Sequence, residues 1–166
     1  ATRERMERTE RKASETAQLL GELRKAKYTP GVTLNDWLEK HHQPEAQNGL
    51  SAVELLKRPE ITLSALAELS PEIRQFGKPA QEQAEISVKY EGYLERQETL
   101  IRHARQMEET LLPEDLPYEE VTGLRIEARQ KLMKQRPRSL AAASRIPGVS
   151  PADVAVLMVF LEKHKA

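Results

Sequence analysis

The chain has 166 residues, 31% charged and 39% hydrophobic, with 26 basic and 26 acidic side chains. That is too apolar for a disordered chain, and a net charge of zero points to neither a nucleic acid nor a membrane, so charge has to be read locally. The absence of cysteine excludes disulfides, thiolate nucleophiles and cysteine-type zinc sites within the chain and fits a reducing, cytoplasmic setting, while no run of about 18 apolar residues marks a membrane span.

The first residues, Ala1-Thr2-Arg3-Glu4-Arg5, already lie in a charged helical pattern, which reads as a piece cut from a longer protein; a processed N-terminus is the alternative. Met6, Thr9, Ala13, Thr16, Leu20, Leu23 and Lys27 alternate steps of three and four, the spacing of a coiled-coil-like seam, and Pro30-Gly31 ends it. Short helices follow. Thr33 is placed to cap TLNDWLEKHH, Ser51 and Glu54 form a capping box, Thr62 caps LSALAEL, and Ser70-Pro71 opens a further turn.

A second long helix is predicted from about Pro79 to Leu111, with the seam Ile86, Tyr90, Tyr93, Gln97, Leu100, Ala104, Met107, Leu111, widened by Leu94 and Ile101. Gly92 stands in its middle, where glycine costs roughly 0.5–1 kcal/mol relative to alanine. At about 100° per residue Gly92 lies away from the tyrosine stripe, with Lys89 and Arg96 at the margin of its own face. The tyrosines then read as packed seam residues. The Gly92 face reads as a close approach by a neighbouring helix of this chain, by another domain, or by RNA. Lys89, Tyr90, Gly92, Tyr93, Arg96 and Gln97 are therefore candidate interdomain or RNA contacts.

In the last fifty residues Val121-Thr122-Gly123-Leu124 is echoed 25 positions later by Ile146-Pro147-Gly148-Val149. Each half reads as a short helix, a glycine turn and a second helix, giving a four-helix module of two helical hairpins. The final helix starts at Ser150, Pro151 and Asp153, and its apolar run predicts burial nearly all round. The expected class is all-α. Two long helices (about 2–27 and 79–111) with short helices packed around them fill residues 1–112, and the compact module fills 113–166.

The seven glycines are isolated, so no phosphate-cradling loop for a dinucleotide is present, and His41, His42, His103 and His164 show no metal-ligand spacing. No catalytic, cofactor-binding or metal residue is assigned. Arg125, Arg129, Lys131, Lys134, Arg136, Arg138 and Arg145 face a single acid, Glu127, within residues 123–145. Such a face suits nucleic-acid phosphates, an acidic protein or plain solvent. RIPGVSPADVAVL also resembles a helix-hairpin-helix turn, in which Gly148 and Ser150 meet a phosphate; alternatively Gly148 ends one helix and Ser150 caps the next.

EISVKYEGYLERQ, LLPEDLPYEEVTGLRIEARQKL and RPRSLAAASRIPGVSPADVAVLMVFL, together with LLKRPEITLSAL, resemble the C-terminal helical domain of the glucose-inhibited division protein A (MnmG) family. The resemblance implies an FAD- and NADH-using, homodimeric parent that modifies the wobble uridine of tRNA with a partner GTPase, MnmE. It places the flavin chemistry in an FAD-binding domain outside this chain, needs no cofactor here, and gives this chain the docking of the GTPase and support of tRNA binding. A stand-alone helical adaptor and a helix-hairpin-helix nucleic-acid-binding module are the alternatives.

Overall fold

The computed structural model describes residues 2–164. The elements in order are α1 (Thr2–Lys25), β1 (Lys27–Tyr28), α2 (Val32–Lys40), β2 (Leu50–Ser51), α3 (Ala52–Lys57), α4 (Leu63–Leu66), a 3-10 turn (Pro71–Gln75), α5 (Lys78–Glu109), a second 3-10 turn (Tyr118–Glu120), α6 (Ile126–Gln135), α7 (Leu140–Ser144) and α8 (Pro151–Lys163). The class is all-α. The strands are two residues each, paired antiparallel as Lys27 with Ser51 and Tyr28 with Leu50. They are too short to leave a period in the sequence. By packing, the chain divides into two units at Arg96/Gln97, within α5, whereas the sequence sets the boundary after residue 112.

Unit 1 is built on Leu19 and Leu23 of α1, Leu34, Trp37 and Leu38 of α2, Leu55 and Leu56 of α3, and Ala84 and Val88 of α5, with Ile61, Leu63, Leu66 and Ile73 from the short helices and turns between them. The capping box at α3 forms as expected: the Glu54 amide donates to Ser51 Oγ at 3.1 Å and the Ser51 amide to the Glu54 carboxylate at 3.0 Å. Thr62 accepts from the Ala65 amide at 3.0 Å and caps α4. Thr33 does not cap α2, which starts a residue earlier behind an extended Gly31. Ser70 forms no side-chain cap; its hydroxyl pairs with that of Tyr28 instead.

Two predicted burial patterns are corrected. Helix α1 packs only in its C-terminal half, where its seam is mainly apolar, through Thr16, Leu19 and Leu23, and Met6 is exposed. On α5 the buried residues are Ala80, Ala84, Val88 and Gly92, the opposite side from the expected seam. Small side chains let the neighbouring backbone come close on that side, and the larger Ile86, Tyr90 and Tyr93 are left outside.

In unit 2 the core is formed by Leu116, Tyr118, Val121, Leu124, Ala128, Leu132, Leu140, Ala143, Ile146, Val149, Val154 and Leu157, with Leu112. The Leu112 amide donates to Arg138 O at 2.8 Å and the Leu140 amide to Thr110 O at 3.0 Å, tying the end of α5 to the start of α7. Ser139 caps α7 and Ser150 caps α8. Burial of α8 all round is also corrected: one side packs, and Val159 on the other is 52% exposed. A module this small has neighbours for one side of its last helix.

Candidate functional site

The Gly92 face of α5 meets the C-terminal end of α3. A Cβ at Gly92 would lie 3.0 Å from Lys57 Cβ and 3.1 Å from Lys57 O. The flanking cations serve the same junction. Arg96 donates to Lys57 O at 3.1 Å, and the Lys89 ammonium donates to Arg58 O at 2.5 Å and also to Ile61 O. These are carbonyls at and just past the C-terminal end of α3, where the negative pole of the helix dipole attracts cations; Arg58 O also accepts from the Ile61 amide at 3.1 Å. Burial draws the Lys89 ammonium below its usual pKa, against the pull of Glu85 and Glu60. Around it Lys57 donates to Glu95 at 2.8 Å, and that contact holds the Lys57 ammonium above its usual range.

Lys89, Gly92 and Arg96 thus form an internal contact with α3, the first of the three neighbours considered from sequence. Tyr90, Tyr93 and Gln97 do not share it. Tyr90 is 62% exposed and Tyr93 51% exposed, with Ile86 at 62% and Leu94 also exposed beside them, so the expected packing of the tyrosines within the chain is corrected.

The seven cations of residues 123–145 also separate. Arg125 binds the buried Asp153 carboxylate through Nε at 3.1 Å and Nη2 at 3.0 Å, its amide reaches the other oxygen at 3.3 Å, and Nη2 also donates to Gly148 O at 2.9 Å. Arg129 donates to Glu119 O at 2.9 Å and Val121 O at 3.1 Å. Arg136 donates to Glu114 O at 3.0 Å and Leu116 O at 2.7 Å, with its guanidinium 5.2 Å from the centre of the Tyr118 ring. Arg145 pairs with Glu108. Lys131, Lys134 and Arg138 are exposed, and their side chains carry neither an ion pair nor a hydrogen bond among the described residues.

The two glycine turns cross. Gly123 (φ 104°) lies against Val156 of α8, and Gly148 (φ 96°) against Glu127 of α6, whose carboxylate oxygen would be 2.9 Å from a Cβ there. The Ser150 amide and hydroxyl donate to Asp153 at 2.9 and 2.8 Å. Of the two readings of Gly148 and Ser150, the geometry favours the cap: the Ser150 amide already holds a carboxylate, and a second one, Glu127, covers the turn. Asp153 went unrecognised as the centre of this arrangement, although its position three residues after Ser150 was the signal. Burial raises its pKa, but the hydrogen bonds from Ser150 and Arg125 outweigh that and bring it down to about 2.

Neither turn fits a flavin or dinucleotide, since Val156 and Glu127 fill the space a pyrophosphate needs beside the backbone. No group of three or more metal-ligating side chains converges among the described residues. No described helix is long and apolar enough to cross a membrane.

Fold and surfaces together define a two-unit helical region with an exposed apolar stripe on α5 and an exposed basic face on α6. Residues 3–98 match the family model for the tRNA modifying enzyme MnmG/GidA C-terminal helical domain, and residues 100–166 match that for its C-terminal helical bundle. The chain belongs to the MnmG/GidA family, as its C-terminal helical region. It is 37% identical over 164 residues to the tRNA uridine 5-carboxymethylaminomethyl modification enzyme MnmG of Caldicellulosiruptor saccharolyticus, and 40% identical over 166 residues to that of Alkaliphilus metalliredigens. Each match covers 99% of this chain and 26% of the relative, so the chain spans about a quarter of the length of the curated relatives it matches. A crystal structure of Aquifex aeolicus GidA is similar at 26% identity, covering 95% of this chain and 24% of that one, with a TM-score of 0.40.

Proposed function

We propose that this chain is the noncatalytic docking domain of a cytoplasmic, FAD- and NADH-dependent enzyme that modifies the tRNA wobble uridine. The domain engages the partner GTPase, MnmE, and supports tRNA binding, while the flavin chemistry takes place in the FAD-binding domain of a homodimeric parent. One observation carries the docking role. Ile86, Tyr90, Tyr93 and Leu94 have helix-packing spacing and outward exposure on the same turns of α5. An apolar, tyrosine-rich helix face in water is the surface a protein partner covers, with the ring buried and the hydroxyl at the wet edge. Lys131, Lys134 and Arg138 supply the cations for phosphate.

A stand-alone adaptor is less well supported, because the relatives are about four times as long as this chain. Immobilised chain is expected to capture the partner GTPase with RNA absent. Failure to retain it in low and moderate salt alike would remove the docking role.

A further inference from the structure

The helical period sorts the cations of α6. At about 100° per residue, Lys131 and Lys134 project roughly 140–160° away from Arg129. Arg129 and Arg136 hold down the backbone of residues 114–121, which carries the acidic Glu114, Asp115, Glu119 and Glu120, so these acids are anchored on the arginine side of α6. The opposite side carries Gln130, Lys131, Lys134 and Gln135, all exposed, and Arg138 follows in the next segment. The acid of that side, Glu127, is turned over Gly148.

This face offers flexible cations and amide donors and no ring. The two large aromatics of the unit are engaged elsewhere: Tyr118 is fully buried under Arg136, and Phe160 stacks on His164 at 4.0 Å on α8. Unpaired bases are held mainly by stacking on exposed aromatic rings, with guanidinium planes a second platform, and the guanidinium of this face, Arg138, lies beyond the end of α6. Base-paired RNA is held through phosphates and through the 2′-hydroxyls of its wide, shallow minor groove, both within reach of lysines and glutamines and neither needing a stacking plane.

We infer that the Lys131/Lys134 face of α6, extended by Arg138, binds the sugar–phosphate backbone of base-paired RNA, a tRNA stem rather than an unpaired loop. The inference rests on the reading that the chain supports tRNA binding and adds which part of the molecule it touches.

The test is fluorescence anisotropy of the 166-residue chain with labelled tRNA, using a short RNA duplex and an unstructured single strand of the same base composition as competitors. The duplex is expected to displace tRNA at lower concentration than the single strand. The triple variant K131Q/K134Q/R138Q, checked for unchanged helical circular dichroism, is expected to bind tRNA at least tenfold more weakly. Its plot of log affinity against log salt is expected to be shallower by about 2–3, roughly one for each phosphate left without its cation. Stronger competition by the single strand, or a triple variant with unaltered affinity and slope, overturns the inference while tRNA binding itself stands. If wild-type chain binds no RNA at low salt but binds an acidic protein through the same three residues, both this inference and the tRNA-binding reading fall.

Discussion

At Gly92 a side chain meets backbone: the nearest atoms to an added Cβ include the Lys57 carbonyl, which cannot swing aside like the tip of a flexible side chain. Gly92→Leu is expected to cost roughly 1–3 kcal/mol through overpacking, only partly offset by better helix propensity, and to lower the urea midpoint accordingly. Lys89→Ala removes the donor to Arg58 O and Ile61 O and is expected to cost about 1–3 kcal/mol in the same measurement. In unit 2 the sensitive residue is Asp153. Its carboxyl lies below its ordinary value of 3.8, at about 2, so the stability it contributes is present above the ordinary value and is lost as pH falls through about 2. A shift of that size corresponds to about 2 kcal/mol. Asp153→Asn is expected to lower stability by about that amount at neutral pH, with the difference from wild type constant above about pH 5 and shrinking toward pH 2 in acid-unfolding curves.

Among the elements, α5 shows how far a periodic sequence can be read. Its existence and extent were legible from the spacing and from Pro113, because a long helix leaves a long record. Which side packs was not. Ile86, Tyr90 and Tyr93 outweigh Ala80, Ala84, Val88 and Gly92 in hydrophobicity, yet the small residues allow close contact with α3. The glycine itself was the better signal, since its cost in a helix needs a compensating contact. On α6 the basic run was legible as a run. Its division into arginines that bind the chain's own carbonyls and lysines that do not depended on tertiary partners 8–22 positions away in sequence. The cap of α8 was readable because Ser150, Pro151 and Asp153 act within one turn. The exposure of Val159 was not, because composition counts apolar residues without counting the neighbours available to cover them. The exposed stripe of α5 gives its own expectation: Tyr90→Ala with Tyr93→Ala should change folding stability by no more than about 0.5 kcal/mol, because both rings are largely in water.

At the scale of the molecule, two cores, two family-model matches and crossed glycine turns occupied by side chains describe the C-terminal helical region of the MnmG/GidA family, and the proposed role for it is to position partners. The docking claim is tested most directly by calorimetric titration of the chain with the partner GTPase in RNA-free buffer, wild type beside the Tyr90→Ala/Tyr93→Ala variant. The expected result is saturable wild-type binding with a negative heat-capacity change, as apolar surface is covered, and at least tenfold weaker binding by the equally stable variant. Equal affinity for both, or no binding by either, would contradict the account.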